Sequence, residues 1–109
     1  MEWLEPWYSV ADDPGQVAAM QRELQRELAQ HHPLYGLPVR TIGRRQDCDD
    51  VLYLIDDGTK RYAVVHLTWP HSPPDSPPWP NTAVFDSFEE WVANGMYPDH
   101  DEFCGSPPS

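Results

Sequence analysis

Two apolar runs separated by a polar turn dominate the pattern along this 109-residue chain. The first run is Val-Leu-Tyr-Leu-Ile at positions 51–55, and the second is Tyr-Ala-Val-Val-His-Leu-Thr-Trp at positions 62–69. Between them lies Asp57-Gly58, a pair that favours tight turns. The pattern predicts a β-hairpin. Because neither run leaves a polar face, we expect both faces of the hairpin to be largely buried.

The length of the turn decides which side chains share a face of this hairpin. A two-residue turn at Asp57-Gly58 or Gly58-Thr59 would group the following residues on one face: Val51, Tyr53, Ile55, Tyr62, Val64 and His66. A three-residue loop with Gly58 in the left-handed region would instead group these residues: Val51, Tyr53, Ile55, Ala63, Val65 and Leu67. The sequence leaves both registers open.

A helix is predicted from Asp13 to about residue 31. Asp13 suits the N-cap, Pro14 the first helical position, and Gln16 the place of Glu or Gln in a capping box. The buried stripe is expected from the apolar residues at helical spacing, which are Val17, Met20, Leu24 and Leu28. Glu23 and Arg26 are expected on the opposite, solvated side.

The segments before the hairpin predict an arm and a strand. Residues 1–12 are aromatic and acidic, which indicates an ordered arm that docks onto the body of the domain. Residues 39–45 alternate as a strand does, and residues 46–50 read as a turn. A strand followed closely by a hairpin implies an antiparallel meander.

After the hairpin, the six prolines of residues 70–80 predict a stiff extended strap, braced at its ends by Trp69 and Trp79. Residues 82–85 suit a short edge strand. Ser87 and Glu90 form a capping box for a second helix of about two turns, with Gly95 at its C′ position. The expected fold is one α+β domain over residues 1–104, followed by a disordered tail at 105–109. It combines a three- to four-stranded antiparallel meander, an N-terminal amphipathic helix and a short C-terminal helix.

The charge is strongly negative, with 18 Asp and Glu against 7 Lys and Arg and a net charge of −11. This disfavours contact with nucleic-acid phosphates or anionic membranes. The imbalance is concentrated after residue 46, where Lys60 and Arg61 face twelve acidic residues. Two interpretations stay open: a surface that serves solubility, or an acidic face for a basic partner.

The first residues lack a basic and an apolar targeting region, so we expect a cytoplasmic protein. In that compartment Cys48 and Cys104 are expected to be reduced thiols. Asp47 and Asp49 flank Cys48, and their charges oppose formation of a thiolate.

Four motifs resemble a group of small bacterial proteins of unassigned function. They are Cys-Asp-Asp-Val at 48–51, Val-Val-His-Leu-Thr-Trp at 64–69, Ser-Phe-Glu-Glu-Trp at 87–91 and Asp-His-Asp-Glu-Phe at 99–103. The resemblance extends from about residue 33 to residue 103. It implies a bacterial cytoplasmic single domain, and it implies no activity and no site residues.

Candidate chemistry is sparse in the sequence. His66 lies among apolar residues and is expected in the core; in the Asp57-Gly58 register its cross-strand partner is Asp49, which would make the most base-like pair of the chain. The acidic residues 99–102 suit a solvated turn. No paired Cys and His spacing predicts a zinc site, so we expect no metal and no cofactor.

The favoured function is an acidic protein-interaction module that binds a basic protein surface, as an inhibitor, immunity-type or adaptor protein would. Trp is enriched where proteins meet partners, and the residues assigned to this surface are Trp69, His71, Trp79 and Trp91. The alternative is a small enzyme or metal-dependent protein centred on His66 and Asp49. A pocket with His66 at its floor would favour the alternative. The oligomeric state stays open.

Overall fold

A computed structural model describes residues 3–28, 34–46, 48–67 and 81–103, with the side chains of residues 81 and 103 left aside. The elements, in chain order, are strand β1 (Trp7–Ser9), helix α1 (Pro14–Glu27), strands β2 (Val39–Arg45), β3 (Asp50–Ile55), β4 (Tyr62–His66) and β5 (Asn81–Phe85), helix α2 (Phe88–Trp91), a π-helical turn (Val92–Met96) and helix α3 (Tyr97–Phe103). The strands form one antiparallel sheet in the order β1-β2-β3-β4-β5. The predicted α+β class is confirmed.

The sheet has one strand more than the three to four predicted. The additional strand comes from the aromatic arm, where Trp7 pairs with Arg45 and Ser9 with Gly43. Gly43 is required there because a Cβ at this position would lie 2.6 Å from the Trp3 ring. Three residues are too short a run to show the period of a strand, so the sequence pattern could not reveal β1.

The hairpin adopts the second of the two registers that the sequence left open. Val51 pairs with Val65 and Tyr53 with Ala63. The connection is longer than either predicted turn: the Ile55 N–H donates to the Arg61 carbonyl at 2.9 Å, which leaves residues 56–60 as the loop. Gly58 and Lys60 both have positive φ, at 89° and 61°.

Both faces of the hairpin are buried, as predicted. On one face α1 covers the sheet, and the buried residues of this cluster are Met20, Leu24, Leu28, Leu34, Val51, Tyr53, Ile55, Ala63, Val65 and Leu67. On the other face the arm and residues 88–103, which we call the C-terminal helical segment, cover Leu52 with Trp7, Trp91 and Met96. The sheet is therefore the middle layer of three.

Helix α1 begins as predicted and ends earlier. The Gln16 N–H donates to Asp13 Oδ1 at 3.1 Å, which is the expected N-cap bond. Leu28 has extended backbone angles, so the helix ends at Glu27 rather than near residue 31. The prediction that Glu23 is solvated is wrong, because this residue is only 6% exposed.

The second helix also begins as predicted but does not stop at Gly95. The Glu90 N–H donates to the Ser87 hydroxyl at 3.1 Å. The chain then passes through the π-helical turn and continues as α3, so residues 99–102 lie in a helix rather than in an acidic turn. The role of Gly95 is packing instead of termination, since a Cβ there would lie 2.7 Å from Trp91 Cδ1.

The remaining predictions concern the proline-rich strap, the C-terminal tail and the edge strand. The proline-rich strap and the tail at 105–109 lie outside the described residues. The edge strand predicted at 82–85 is confirmed as β5, which pairs with β4 only among the described strands. None of the helices formed by the described residues is both long enough and apolar enough to span a membrane.

Replacing Gly95 with Ala tests the packing of the C-terminal helical segment. Alanine normally favours a helix over glycine, but here its methyl group would press on the buried Trp91 indole. We expect Gly95→Ala to lower the free energy of unfolding by about 1–2 kcal/mol, as overpacking of a core does. Asn94→Ala, at the exposed neighbouring position, should not be destabilising. Urea unfolding measures both; a Gly95→Ala variant at least as stable as the parent would contradict the close Trp91 contact.

Candidate functional site

Three side chains with metal-binding or acid–base chemistry meet where β3 begins and β4 ends. Asp50 and His66 are paired across the two strands. His66 Nδ1 lies 2.6 Å from Asp50 Oδ1. Cys48 precedes Asp50 by two residues, and the three side chains each offer a ligand atom within 4.8 Å of the others. We call these residues the Cys48–Asp50–His66 cluster.

The cluster is accessible to solvent on one side. The His66 side chain is 46% exposed and the Asp50 side chain 22% exposed. A small open cavity of about 180 Å³ adjoins them, lined by Asp50, Val64, His66, Thr82 and Ala83. Sites for drug-sized ligands occupy roughly 300–1,000 Å³. The cavity therefore suits an ion, a water molecule or one small chemical group.

A charged chain of contacts connects the cluster to α3. Arg45 NH1 lies 3.9 Å from Asp50 Oδ2 and 3.4 Å from Asp99 Oδ1. The Trp7 indole N–H donates to Asp99 Oδ2 at 2.8 Å. Because Trp7 is buried, it holds Asp99 and through it Arg45 beside the cluster. The strand end and the C-terminal helical segment are thus positioned together.

The structure corrects the residue pair inferred from the sequence. Asp49 does not pair with the His66 side chain; its carboxylate lies 3.9 Å from Arg44 NH2, and its backbone carbonyl accepts a hydrogen bond from the Leu67 N–H at 3.1 Å. The hairpin register is the reason, since it places Asp50 opposite His66. The expectation of a core histidine is also wrong, because His66 is exposed.

The four residues assigned to a binding surface divide into two groups. Trp91 is fully buried, with its ring centroid 5.2 Å from that of Trp7 and 5.7 Å from that of Trp3. It is a core residue, and its assignment to a binding surface is corrected. Trp69, His71 and Trp79 lie outside the described residues.

A buried carboxyl pair on α1 escaped the sequence analysis. Glu23 and Glu27 are only 6% and 5% exposed. Burial raises the pKa of Glu23 to about 7, and the hydrogen bond and the charge of Glu27 add to the rise. The Tyr53 hydroxyl, which donates to the Met20 carbonyl at 2.8 Å, lies nearby, and burial and both carboxylates raise its pKa. The only sign of this pair in the sequence is that Glu23 and Glu27 lie four residues apart, each next to an apolar residue of the buried stripe, Leu24 or Leu28.

The second notable charge feature is the outer surface of the C-terminal helical segment. Residues 86–103 contain six carboxylates and no Lys or Arg. The exposed side chains of what we call the acidic helix face are Glu89, Tyr97, Asp101 and Glu102. Tyr97 is 51% exposed, one of the most exposed large apolar side chains of the described residues.

The opposite layer has the reverse arrangement of charge. On α1 the two arginines, Arg22 and Arg26, are exposed, whereas its two carboxylates, Glu23 and Glu27, are buried. The two helical layers lie on opposite faces of the sheet. The exposed charges of α1 are thus basic, whereas those of the C-terminal helical segment are acidic.

Comparison of the chain with protein-family models, with curated proteins and with solved structures finds no match.

Glu23 makes a specific pH dependence testable. Its raised pKa means that its neutral form stabilises the fold at low pH and that this stability is lost as the pH rises towards about 7. From about pH 5 to pH 8 we expect this group to remove roughly 2 kcal/mol from the free energy of unfolding. Glu23→Gln, whose amide is always neutral, should reduce the dependence by that amount in urea unfolding.

The exposed Glu102 supplies the control, since Glu102→Gln removes one carboxylate without touching the buried pair. This variant should keep the pH dependence of the parent. If Glu23→Gln had the same pH dependence of stability as the parent, the surroundings of Glu23 would not raise its pKa.

Proposed function

We propose that this protein is an acidic protein-interaction module, of the inhibitor, immunity or adaptor type, that binds a basic surface of a partner protein. The supporting observation is the acidic helix face, in which Tyr97 is surrounded in sequence by carboxylates and by no Lys or Arg. Clustered charge of one sign accelerates encounter with a partner of opposite charge and rejects partners of like charge. Tyr supplies apolar contact area together with a hydroxyl, and it is enriched in the cores of interfaces.

The support beneath this face is well packed, which favours binding. The helical segment rests on the buried Trp91 and Met96, and Trp91 packs against Phe88 at 5.5 Å between ring centroids. The Trp7 to Asp99 hydrogen bond anchors α3 from the side of the sheet. A surface that is already ordered loses less conformational entropy on binding, so more of the contact energy becomes affinity.

The proposed partner surface follows from the same chemistry. The acidic helix face exposes three carboxylates and the Tyr97 ring. Lys and Arg side chains of a partner can form ion pairs with the carboxylates and a cation–π contact with the ring. A nucleic acid or an anionic membrane would be repelled by this face. The partner is therefore a protein with a cationic patch of comparable extent.

Matched neutralisation of charges tests this function. Glu89→Gln combined with Asp101→Asn removes two carboxylates from the acidic helix face, and Asp12→Asn combined with Asp56→Asn removes two exposed carboxylates elsewhere. The partner is captured from the source cell on the immobilised parent protein, purified, and its association rate measured at low and moderate salt. We expect the face variant to associate roughly tenfold more slowly at low salt, with the control close to the parent.

Salt supplies the second criterion. Between about 0.05 M and 0.3 M salt the association rate of the parent should fall severalfold, because screening shortens the range of the attraction. Equal loss in the two double variants would place the binding surface away from the acidic helix face. A rate independent of salt would contradict electrostatic recognition.

The cavity beside His66 favours a second candidate function. This cavity is not part of the acidic helix face, so binding through that face does not account for it. A carboxylate at 2.6 Å from one imidazole nitrogen orients the ring and leaves the other nitrogen for an acid, a base or a ligand role. The site of a small enzyme or metal-dependent protein would therefore lie at His66 and Asp50, in place of the predicted His66 and Asp49.

A further inference from the structure

The Cys48–Asp50–His66 cluster combines three donor types that transition metals accept: a thiolate sulfur, a carboxylate oxygen and an imidazole nitrogen. The donors come from two adjacent strands and the bend before one of them, so the hairpin brings them together. Their spacing in the sequence, two residues and then sixteen, fits no paired zinc pattern. This is why the sequence predicted no metal, and why only the fold reveals the set.

We propose that Cys48, Asp50 and His66 form an open three-ligand site for a divalent transition metal ion of the Zn²⁺ class. Three protein ligands with a fourth position open to solvent are the arrangement of exchangeable and catalytic zinc sites rather than of closed structural ones. The cavity adjoins two of the three ligands, Asp50 and His66, and has room for a water molecule or a small ligand at that fourth position. The inference rests on the cluster alone and is independent of the proposed protein partner.

The distances are compatible with metal binding after small side-chain movements. Zinc bonds about 2.0–2.3 Å long in a tetrahedral arrangement place the donor atoms roughly 3.3–3.8 Å apart. Donor atoms now up to 4.8 Å apart must therefore approach, and the 2.6 Å contact between His66 Nδ1 and Asp50 Oδ1 must open. Two of the three ligands lie in positions that a small adjustment can reach, since the His66 ring is nearly half exposed and Cys48 lies in a bend before β3.

The charges around the cluster also suit a divalent cation. The thiolate and the Asp50 carboxylate together balance the charge of the ion. Arg45 would oppose it, but the Asp99 carboxylate lies 3.4 Å from Arg45 and closer than Asp50 at 3.9 Å. Asp99 therefore holds Arg45 and leaves Asp50 able to turn towards a metal.

The donor set discriminates between classes of ion. Ca²⁺ and Mg²⁺ require several oxygen ligands, and the cluster supplies one carboxylate. A thiolate and an imidazole select zinc, cobalt or copper instead. Co²⁺ is the most informative probe, because a thiolate bound to Co²⁺ produces a charge-transfer absorption band that reports the sulfur ligand directly.

The experiment titrates the full-length reduced protein with Co²⁺ and then displaces it with Zn²⁺, following absorption and calorimetry. We expect one ion per chain and a thiolate-to-cobalt band that Zn²⁺ abolishes. Outer-shell partners alone are worth roughly 10- to 100-fold in metal affinity, so the loss of a ligand should cost at least about 100-fold. Cys48→Ser should lose the band, and His66→Gln and Asp50→Asn should lose affinity.

The second cysteine provides the matched control. Cys104→Ser should keep both the band and the affinity, because Cys104 is not one of the three donors. A band that survives in Cys48→Ser, or one that disappears in Cys104→Ser, would overturn the assignment of the sulfur ligand. Unchanged affinity in Asp50→Asn or His66→Gln, or no saturable binding by the parent, would overturn the three-ligand site. Thermal unfolding of each metal-free variant confirms that it is folded.

Discussion

The constraint on which the structure depends is that β3 is apolar on both faces. Its residues from Val51 to Ile55 contain no polar side chain except for the Tyr53 hydroxyl, and that hydroxyl is satisfied by the Met20 carbonyl. A strand of this kind cannot lie in a sheet with one solvated face. Two covering layers are therefore required, and the chain supplies α1 on one side and the aromatic arm with the C-terminal helical segment on the other.

This requirement also positions both of the proposed functional surfaces. The C-terminal helical segment must direct Trp91 and Met96 towards Leu52, so the side chains of the acidic helix face point outward. The start of β3 carries Asp50, and the same ladder that buries the strand sets His66 against it. On the other layer Glu23 and Glu27 border the apolar stripe of α1 and are buried with it, which raises the pKa of Glu23 to about 7. One core thus produces the acidic face, the Cys48–Asp50–His66 cluster and the buried pair.

Local chemistry made part of this predictable from the sequence. The apolar runs predicted the hairpin, and the pairs Asp13 with Gln16 and Ser87 with Glu90 predicted both helix starts. What failed depended on non-local packing. The pairing of His66 with Asp49 assumed one of the two hairpin registers that the sequence left open, and the fold adopts the other, which places Asp50 opposite His66. Gly95 has the residue type of a helix end, but its function is to admit the Trp91 ring. Glu23 was predicted to be solvated because it lies outside the apolar stripe of α1. Its burial depends on tertiary packing, which the helical pattern does not show.

Native-state hydrogen exchange tests the central claim that both layers bury β3. Residues 51–54 are paired on both sides, with β2 and with β4, whereas β5 is paired with β4 only among the described strands. Amides of β3 that are hydrogen-bonded within the sheet should exchange only when the whole protein unfolds, with exchange free energies equal to the free energy of unfolding from urea. Those of β5 should exchange through smaller openings. If β3 amides exchanged as readily as those of β5, the strand would not be the doubly covered centre of the fold.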